Sequence, residues 1–255
     1  MRSPFQPVRR MGEILLAAAV PLIPAAPASA MHISEGILPF PWALFWFVVA
    51  APFLGLGLYR LKAVSRDDLS SKPLVGFIAA VVFVVSCVPI PVPMVGTCSH
   101  PCGTAISAIL LGPALSVLAA AVALLMQALF LGHGGLSTLG ANIVTMGVMG
   151  SFTGFLVFRL LRAAGAGLTL AAFAAGLLAD WVTYFSTAFI LACALRGNEP
   201  FFPLLTKIAL AFVPTQLPIG ILEGAMTAGM VVLLHRKRPD LLVKMRVLRP
   251  EEAAL

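Results

Sequence analysis

The chain has 255 residues, of which 60% are hydrophobic and only 11% charged; its mean hydropathy is +1.02. Soluble domains carry about 25% charged residues, so this composition excludes an ordinary soluble enzyme and reads as an integral membrane protein with one membrane domain and no sizeable soluble one. The formal charge of +7 does not point to nucleic acid, because the Lys and Arg residues sit in loops and the tail, where they report membrane orientation.

Residues 1–30 have three parts. Arg2, Arg9 and Arg10 are basic, Ile14 to Val20 is a short apolar core, and Pro21, Pro24 and Pro27 lead to Ala28-Ser29-Ala30. This order predicts a secretory signal peptide cleaved after Ala30. The apolar run is too short to cross a bilayer, which takes about 20 residues. The mature chain would then begin Met31-His32-Ile33 outside the cytoplasm.

Long apolar segments follow at 41–59, 74–93, 104–131, 141–161, 167–194 and 205–234. Basic residues cluster at Arg60–Lys72, at Arg159 and Arg162, and in a tail from Arg236 to Arg249. Short basic loops stay cytoplasmic. An outside start and an inside tail need an odd number of crossings, and six segments do not supply one. Gly112-Pro113 divides 104–131, since Pro in a helix interior removes a hydrogen bond and clashes with the preceding turn. The expectation is therefore an all-α membrane protein with seven transmembrane helices, N-terminus out and C-terminus in. The short crossing 104–112 would have to be shielded by protein. Domain limits follow: 1–30 signal peptide, 31–238 polytopic membrane domain, 239–255 cytoplasmic tail, in the inner or plasma membrane. Pro214, Gln216 and Pro218 are expected to break up the last helix.

This topology puts residues 31–40, the loop "PVPMVGTCSHPCG" (91–103) and the loop "LGHGGLSTLG" (131–140) on one outer face, with three of the four histidines: His32, His100 and His133. His235 heads the basic tail. A free amine on Met31 would sit next to His32. Amine, deprotonated His32 amide and His32 Nδ1 can close a five-membered and a six-membered chelate ring around one ion. Three nitrogens in a plane plus a fourth make a square, which suits Ni(II) or Cu(II). His100 is the expected fourth ligand, held in a Pro- and Gly-rich loop, with Thr97, Cys98 and Ser99 available to fix its ring. His133, between glycines, is assigned a buried hydrogen-bonding role, and Asn142 a supporting one.

The four cysteines are Cys87, Cys98, Cys102 and Cys193. They form no zinc-type C-x-x-C pair, and read as small apolar membrane residues; a Cys98–Cys102 disulfide is open if that loop faces an oxidising compartment. Asp180 and Glu223 lie inside apolar segments, where ionisable groups are costly and functional by default. Each is a candidate for metal passage or helix locking. No phosphate-binding G-x-x-x-x-G-K-[ST] occurs, so uphill transport would need ATPases on other chains.

The stretches "MHISEG", "GTCSHPCGTAISAILLGP" and "LGHGGLSTLGANIVTMG" resemble the CbiM/NikM family, the substrate-binding membrane subunits of cobalt/nickel energy-coupling-factor transporters, over nearly all of 31–234. The resemblance implies seven membrane helices capped by a metal loop. It also implies Co(II) or Ni(II) as transported substrate, held by Met31, His32 and His100, with cobalt for cobalamin synthesis favoured. The partners it implies are a transmembrane coupling subunit, two ATPase subunits and a small accessory membrane subunit. Cys102 stands where the family loop often has Thr, which puts a thiol beside the site. Two other classes fit the sequence less well. A hydrolase built on Ser99 and His100 lacks an orienting acid, and adjacent residues rarely present nucleophile and base to each other. A channel or secondary transporter would want more polar residues lining a path than two carboxylates.

Overall fold

The structure is a computed structural model, and residues 29–30, 32–67, 71–87, 90–92 and 97–253 are described. It is a helical bundle. In chain order it has α1 (Phe40–Asp67), α2 (Ser71–Ser86), α3 (Thr104–Leu111), α4 (Pro113–Leu131), α5 (Leu139–Ala163), α6 (Leu168–Leu195), α7 (Phe201–Lys237) and the short α8 (Pro239–Lys244). Five of these are long and apolar enough to cross a membrane: α1, α4, α5, α6 and α7. The other two bundle helices are shorter, with 16 residues in α2 and 8 in α3.

The helix break falls at Gly112-Pro113, as the sequence reading places it. Pro113 is the first residue of α4, where its missing N–H has no partner to lose and its fixed φ suits the first turn. Elsewhere proline does not break the fold. α7 runs unbroken through Pro214 and Pro218, against the expectation that they divide it, and α1 contains Pro52. Membrane helices tolerate such prolines when neighbouring helices pack against them; here the turn between Pro214 and Pro218 lies against α6, where the Trp181 indole N–H donates to the Gln216 carbonyl at 3.0 Å. The last turn of α4 (Gln127–Leu131) and the middle of α5 (Ile143–Gly150) wind as π-helix, a feature that often marks functional sites.

The loop before α3 carries the small departure from an all-helical fold. β1 (Ser29–Ala30), β2 (Ile90–Val92) and β3 (Thr97–Ser99) form a sheet in the order β1-β3-β2. β1 is parallel to β3, with Ser29 opposite Thr97 and Ala30 opposite Cys98. β2 is antiparallel, with Pro91 opposite Cys98.

Packing is close. α6 and α7 lie together along much of their length, at the distance only glycine permits. A Cβ on Gly176 would sit 2.7 Å from the Glu223 carbonyl oxygen, and one on Gly224 would sit 2.8 Å from the Phe173 carbonyl oxygen. Small residues allow this approach in a bilayer, where apolar burial does not drive helices together. The buried side chains fall into two groups. One, around Ile33, Trp46, Cys102, Leu124 and Met146, lies by the loops before α1 and α3. The other, around Ile109, Phe158, Ala175, Val231 and Leu242, lies toward the far ends of α5 and α7. Residues 239–253 belong to this second group and are no loose tail: Leu242 is fully buried, and Val247 and Leu248 are nearly so.

Candidate metal centre

His32, His100 and His133 come together. One ring nitrogen from each lies within 4.8 Å of the others. Nitrogens bound about 2 Å from one ion lie roughly 3–4 Å apart, so small side-chain movements close the set on a metal. His32 and His100 are buried and His133 is partly buried. His133 thus sits with the two expected ligands, and its Nε2 lies 3.1 Å from His100 Nε2.

The hydrogen bonds fix which nitrogen each ring offers. Gln127, from the end of α4, donates from Nε2 to the Ser86 carbonyl at 3.1 Å and to the Ser86 hydroxyl at 2.9 Å. A carbonyl can only accept. The Gln127 amide is therefore oriented with Oε1 toward His32 Nε2, 3.0 Å away, and that ring nitrogen must carry the proton. His32 Nδ1 is left with its lone pair, as a chelate with the residue's own amide nitrogen requires. In His100 the sense is reversed. Nδ1 donates to the Pro101 carbonyl at 3.0 Å, which leaves the Nε2 lone pair facing the cluster. The Pro101 carbonyl thus holds the His100 ring; the side chains of Thr97 and Cys98, suggested by the sequence for that task, lie outside the described residues. Ser99 Oγ accepts from Gln216 Nε2 at 2.6 Å, which ties the loop to α7.

The segment after His32 is clamped to the loop between α4 and α5. Asn142 holds the Ile33 backbone from both sides. Its Oδ1 accepts the Ile33 N–H at 2.9 Å, and its Nδ2 donates to the Ile33 carbonyl at 3.1 Å. Thr138 Oγ1 donates to the same carbonyl. The Glu35 N–H donates to the Gly134 carbonyl at 3.3 Å, and Glu35 Oε2 accepts from the Ser137 N–H at 3.0 Å. The two glycines that follow His133 make room for this segment: a Cβ on Gly134 would come 3.1 Å from His32 Cβ, and one on Gly135 2.6 Å from Glu35 Cα.

Electrostatics keeps the cluster neutral and ready to coordinate. Burial lowers the pKa of all three imidazoles. His32 is held well below its ordinary value by burial and then by the nearness of His100 and His133. Burial brings His100 down to about 3, and it lowers His133 as well. A neutral imidazole is the metal-binding form.

Similarity to known proteins agrees with this arrangement. The model of the family described as CbiM, cobalt uptake substrate-specific transmembrane region, matches residues 32–241. The chain belongs to the CbiM family. A cobalt transport protein CbiM of Geobacter sulfurreducens is 70% identical over 223 residues, covering 88% of this chain and 64% of that protein. The chain thus spans a little under two thirds of that relative's length. One of Sorangium cellulosum is 52% identical over 219 residues, covering 86% of this chain and 97% of that protein. Among solved structures, a truncated transition metal transporter shares 26% identity and superposes with a TM-score of 0.73, over 81% of this chain and 99% of its own. Membership makes the chain a multi-pass membrane transport protein and not an enzyme.

The remaining residues singled out from the sequence lie around the loop that carries His100. Glu223 Oε1 accepts the Gly103 N–H at 2.8 Å. Cys102 is a free, buried thiol, with Sγ 4.0 Å from Asp180 Oδ1. Burial, then the negative charge of Asp180 and Glu223, pushes that thiol well above its ordinary pKa. The two carboxylates therefore sit under the CbiM loop and position it from α6 and α7; neither belongs to the histidine cluster. Met31, the first 28 residues of the leader and the Cys98 side chain lie outside the described residues. Gln127 went unremarked in the sequence reading. Its signal was a lone amide inside the apolar run "ALLMQALF", where a polar group should have a partner.

Proposed function

We propose that the chain is the substrate-capture subunit of an energy-coupling-factor importer for Co(II). The metal is bound by the Met31 amine, the His32 amide nitrogen and Nδ1, and His100 Nε2, with His133 beside them. The observation that carries this reading is the tautomer lock on His32: Gln127 occupies Nε2, so the nitrogen left for metal is the one that chelates with the backbone. This ligand set also accommodates Ni(II), the alternative cargo, since square nitrogen sites favour that ion.

Signal cleavage after Ala30 supplies the free amine. The bundle then crosses the membrane seven times, N-terminus out and C-terminus in. α3 would be about 12 Å long at 1.5 Å per residue. Its first seven residues are all buried, which meets the demand that a crossing too short to span be shielded by protein. Residues 239–255 face the cytoplasm, where a coupling subunit and two ATPases, with a small accessory membrane subunit, supply the energy.

The test is metal content. Protein beginning at Met31 should bind one Co(II) per chain. His32→Ala, and a form extended by one residue before Met31, should lose tight binding. Full binding by the extended form would refute the amine as a ligand, and uptake that persists without any ATPase would favour a secondary transporter.

A further inference from the structure

At the end of α5 farthest in sequence from His133, a cavity opens, of about 490 Å³. α5 has 25 residues, about 37 Å at 1.5 Å per residue, so this cavity lies roughly a bilayer away from the histidine cluster. Four arginines line it: Arg159 and Arg162 at the end of α5, and Arg246 and Arg249 from the folded-back tail. One carboxylate, Glu252, is among the lining residues, and it pairs with Arg162. Among the described residues, Arg159, Arg246 and Arg249 have no carboxylate within ion-pair distance. The inner wall is apolar, made by Phe158, Val247 and Leu248, all buried.

The tail is shaped to hold this arrangement. Arg246 is the one non-glycine among the described residues with a left-handed backbone, at φ +58°. Side-chain-bearing residues avoid that region unless the surroundings impose it. Here Leu242 and Val247 on either side are anchored in the core, and the Arg246 carbonyl accepts from Arg159 Nη1 at 3.2 Å. Arg159 and Arg246 are thereby fastened to one another at the mouth, with both side chains exposed.

We propose that this cavity binds the head group of an anionic phospholipid. Its phosphate would sit between Arg159, Arg246 and Arg249, and its glycerol and upper acyl carbons against Phe158 and Val247. Guanidinium forks match phosphate oxygens in geometry and charge. A basic pocket at the end of a membrane helix, closed by the tail and beside an apolar wall, fits an amphiphile better than a free ion. The site is separate from the metal centre and does not depend on the identity of the cargo.

The experiment is lipid binding to the full chain in neutral detergent, measured by native mass spectrometry with phosphatidylglycerol, phosphatidylcholine and inorganic phosphate as probes. Phosphatidylglycerol should bind saturably and be preferred to phosphatidylcholine. In Arg159→Gln/Arg246→Gln its affinity should fall roughly thirtyfold, the factor two surface charges give. Arg236→Gln/Lys237→Gln, which removes the same charge from the end of α7, should keep wild-type affinity. Cobalt binding checks that each variant is folded; should the double variant fail that check, Arg159→Gln and Arg249→Gln are measured singly. Equal losses in both double variants would reduce the effect to diffuse surface charge and overturn the site. Displacement of the lipid by millimolar phosphate would overturn the lipid assignment.

Discussion

Replacing Gln127 with Leu tests whether the lock on His32 matters. The side chain is fully buried, and its removal orphans two groups at once. One is the His32 Nε2 proton, which loses its acceptor at 3.0 Å. The other is the Ser86 carbonyl at the end of α2, which loses its donor at 3.1 Å; the Ser86 hydroxyl keeps its bond to the Val82 carbonyl. A buried orphan costs about 1–3 kcal/mol. His32 can relieve its share by moving the proton to Nδ1, but that blocks the nitrogen assigned to metal. The lock should therefore appear in affinity as well as stability. Supporting residues of this kind are worth about 10–100-fold in metal binding. Titration calorimetry with Co(II), on protein beginning at Met31, should show a Kd raised by about that factor, and the metal-free chain should melt a few degrees lower. Gln127→Glu still accepts from His32 but cannot donate to Ser86, so it should lose stability and keep more of the affinity. A folded Gln127→Leu chain that binds Co(II) within about twofold of wild type would refute the tautomer argument.

Three further outcomes follow from the same geometry. Gly135→Ala brings a methyl within 2.6 Å of Glu35 Cα and should push the N-terminal segment off its seat; calorimetry should show Co(II) affinity falling about tenfold or more, on an overpacking cost of roughly 1–3 kcal/mol. Asn142→Leu removes two of the three bonds that hold the Ile33 backbone, leaving the one from Thr138, and hydrogen exchange should show residues 33–36 losing protection while α6 keeps it. Stability of the metal-free chain should depend on acid in a defined sense. His100 takes up a proton in the folded state only near pH 3, against an ordinary value of 6.5, and His32 and His133 are shifted the same way. The unfolded chain binds more protons between those limits, so stability is fully present above pH 6.5 and falls as the pH drops toward 3. Thermal melts across that range check the sign, and His100→Ala should flatten the slope.

Much of the helix plan was legible because it rests on long apolar runs and on one strong break. The runs starting at 41, 104, 141, 167 and 205 each correspond to helix, and Gly112-Pro113 separates α3 from α4 because proline there can begin a helix but not continue one. The same rule failed in α7, since a rule about isolated helices cannot see the close packing of α7 against α6. The apolar run 74–93 was read as one segment, but its helix ends at Ser86 and Ile90–Val92 is strand; this strand and Thr97–Ser99 are too short to show alternation. At the site, His32 and His100 stood out by chemistry, through their place after a cleavage signal and in a rigid loop. Asn142 was noticed but its task was not, because a clamp on the Ile33 backbone joins residues 109 positions apart. Gln127 was missed for the same reason: its role is set by what folds against it.

The glycine contacts between α6 and α7 leave no clearance for one helix to slide along the other, since Gly176 and Gly224 already bring backbone against backbone. A bundle fastened this tightly moves as one piece. Under the proposed function, the exit of a captured ion would begin at the peptide strip from His32 to Gly36, which is held by hydrogen bonds that can be undone and remade and by the buried Ile33 side chain. Discharge becomes a peeling event at the rim, driven by whatever tilts or grips the whole body, while the helices keep their shape.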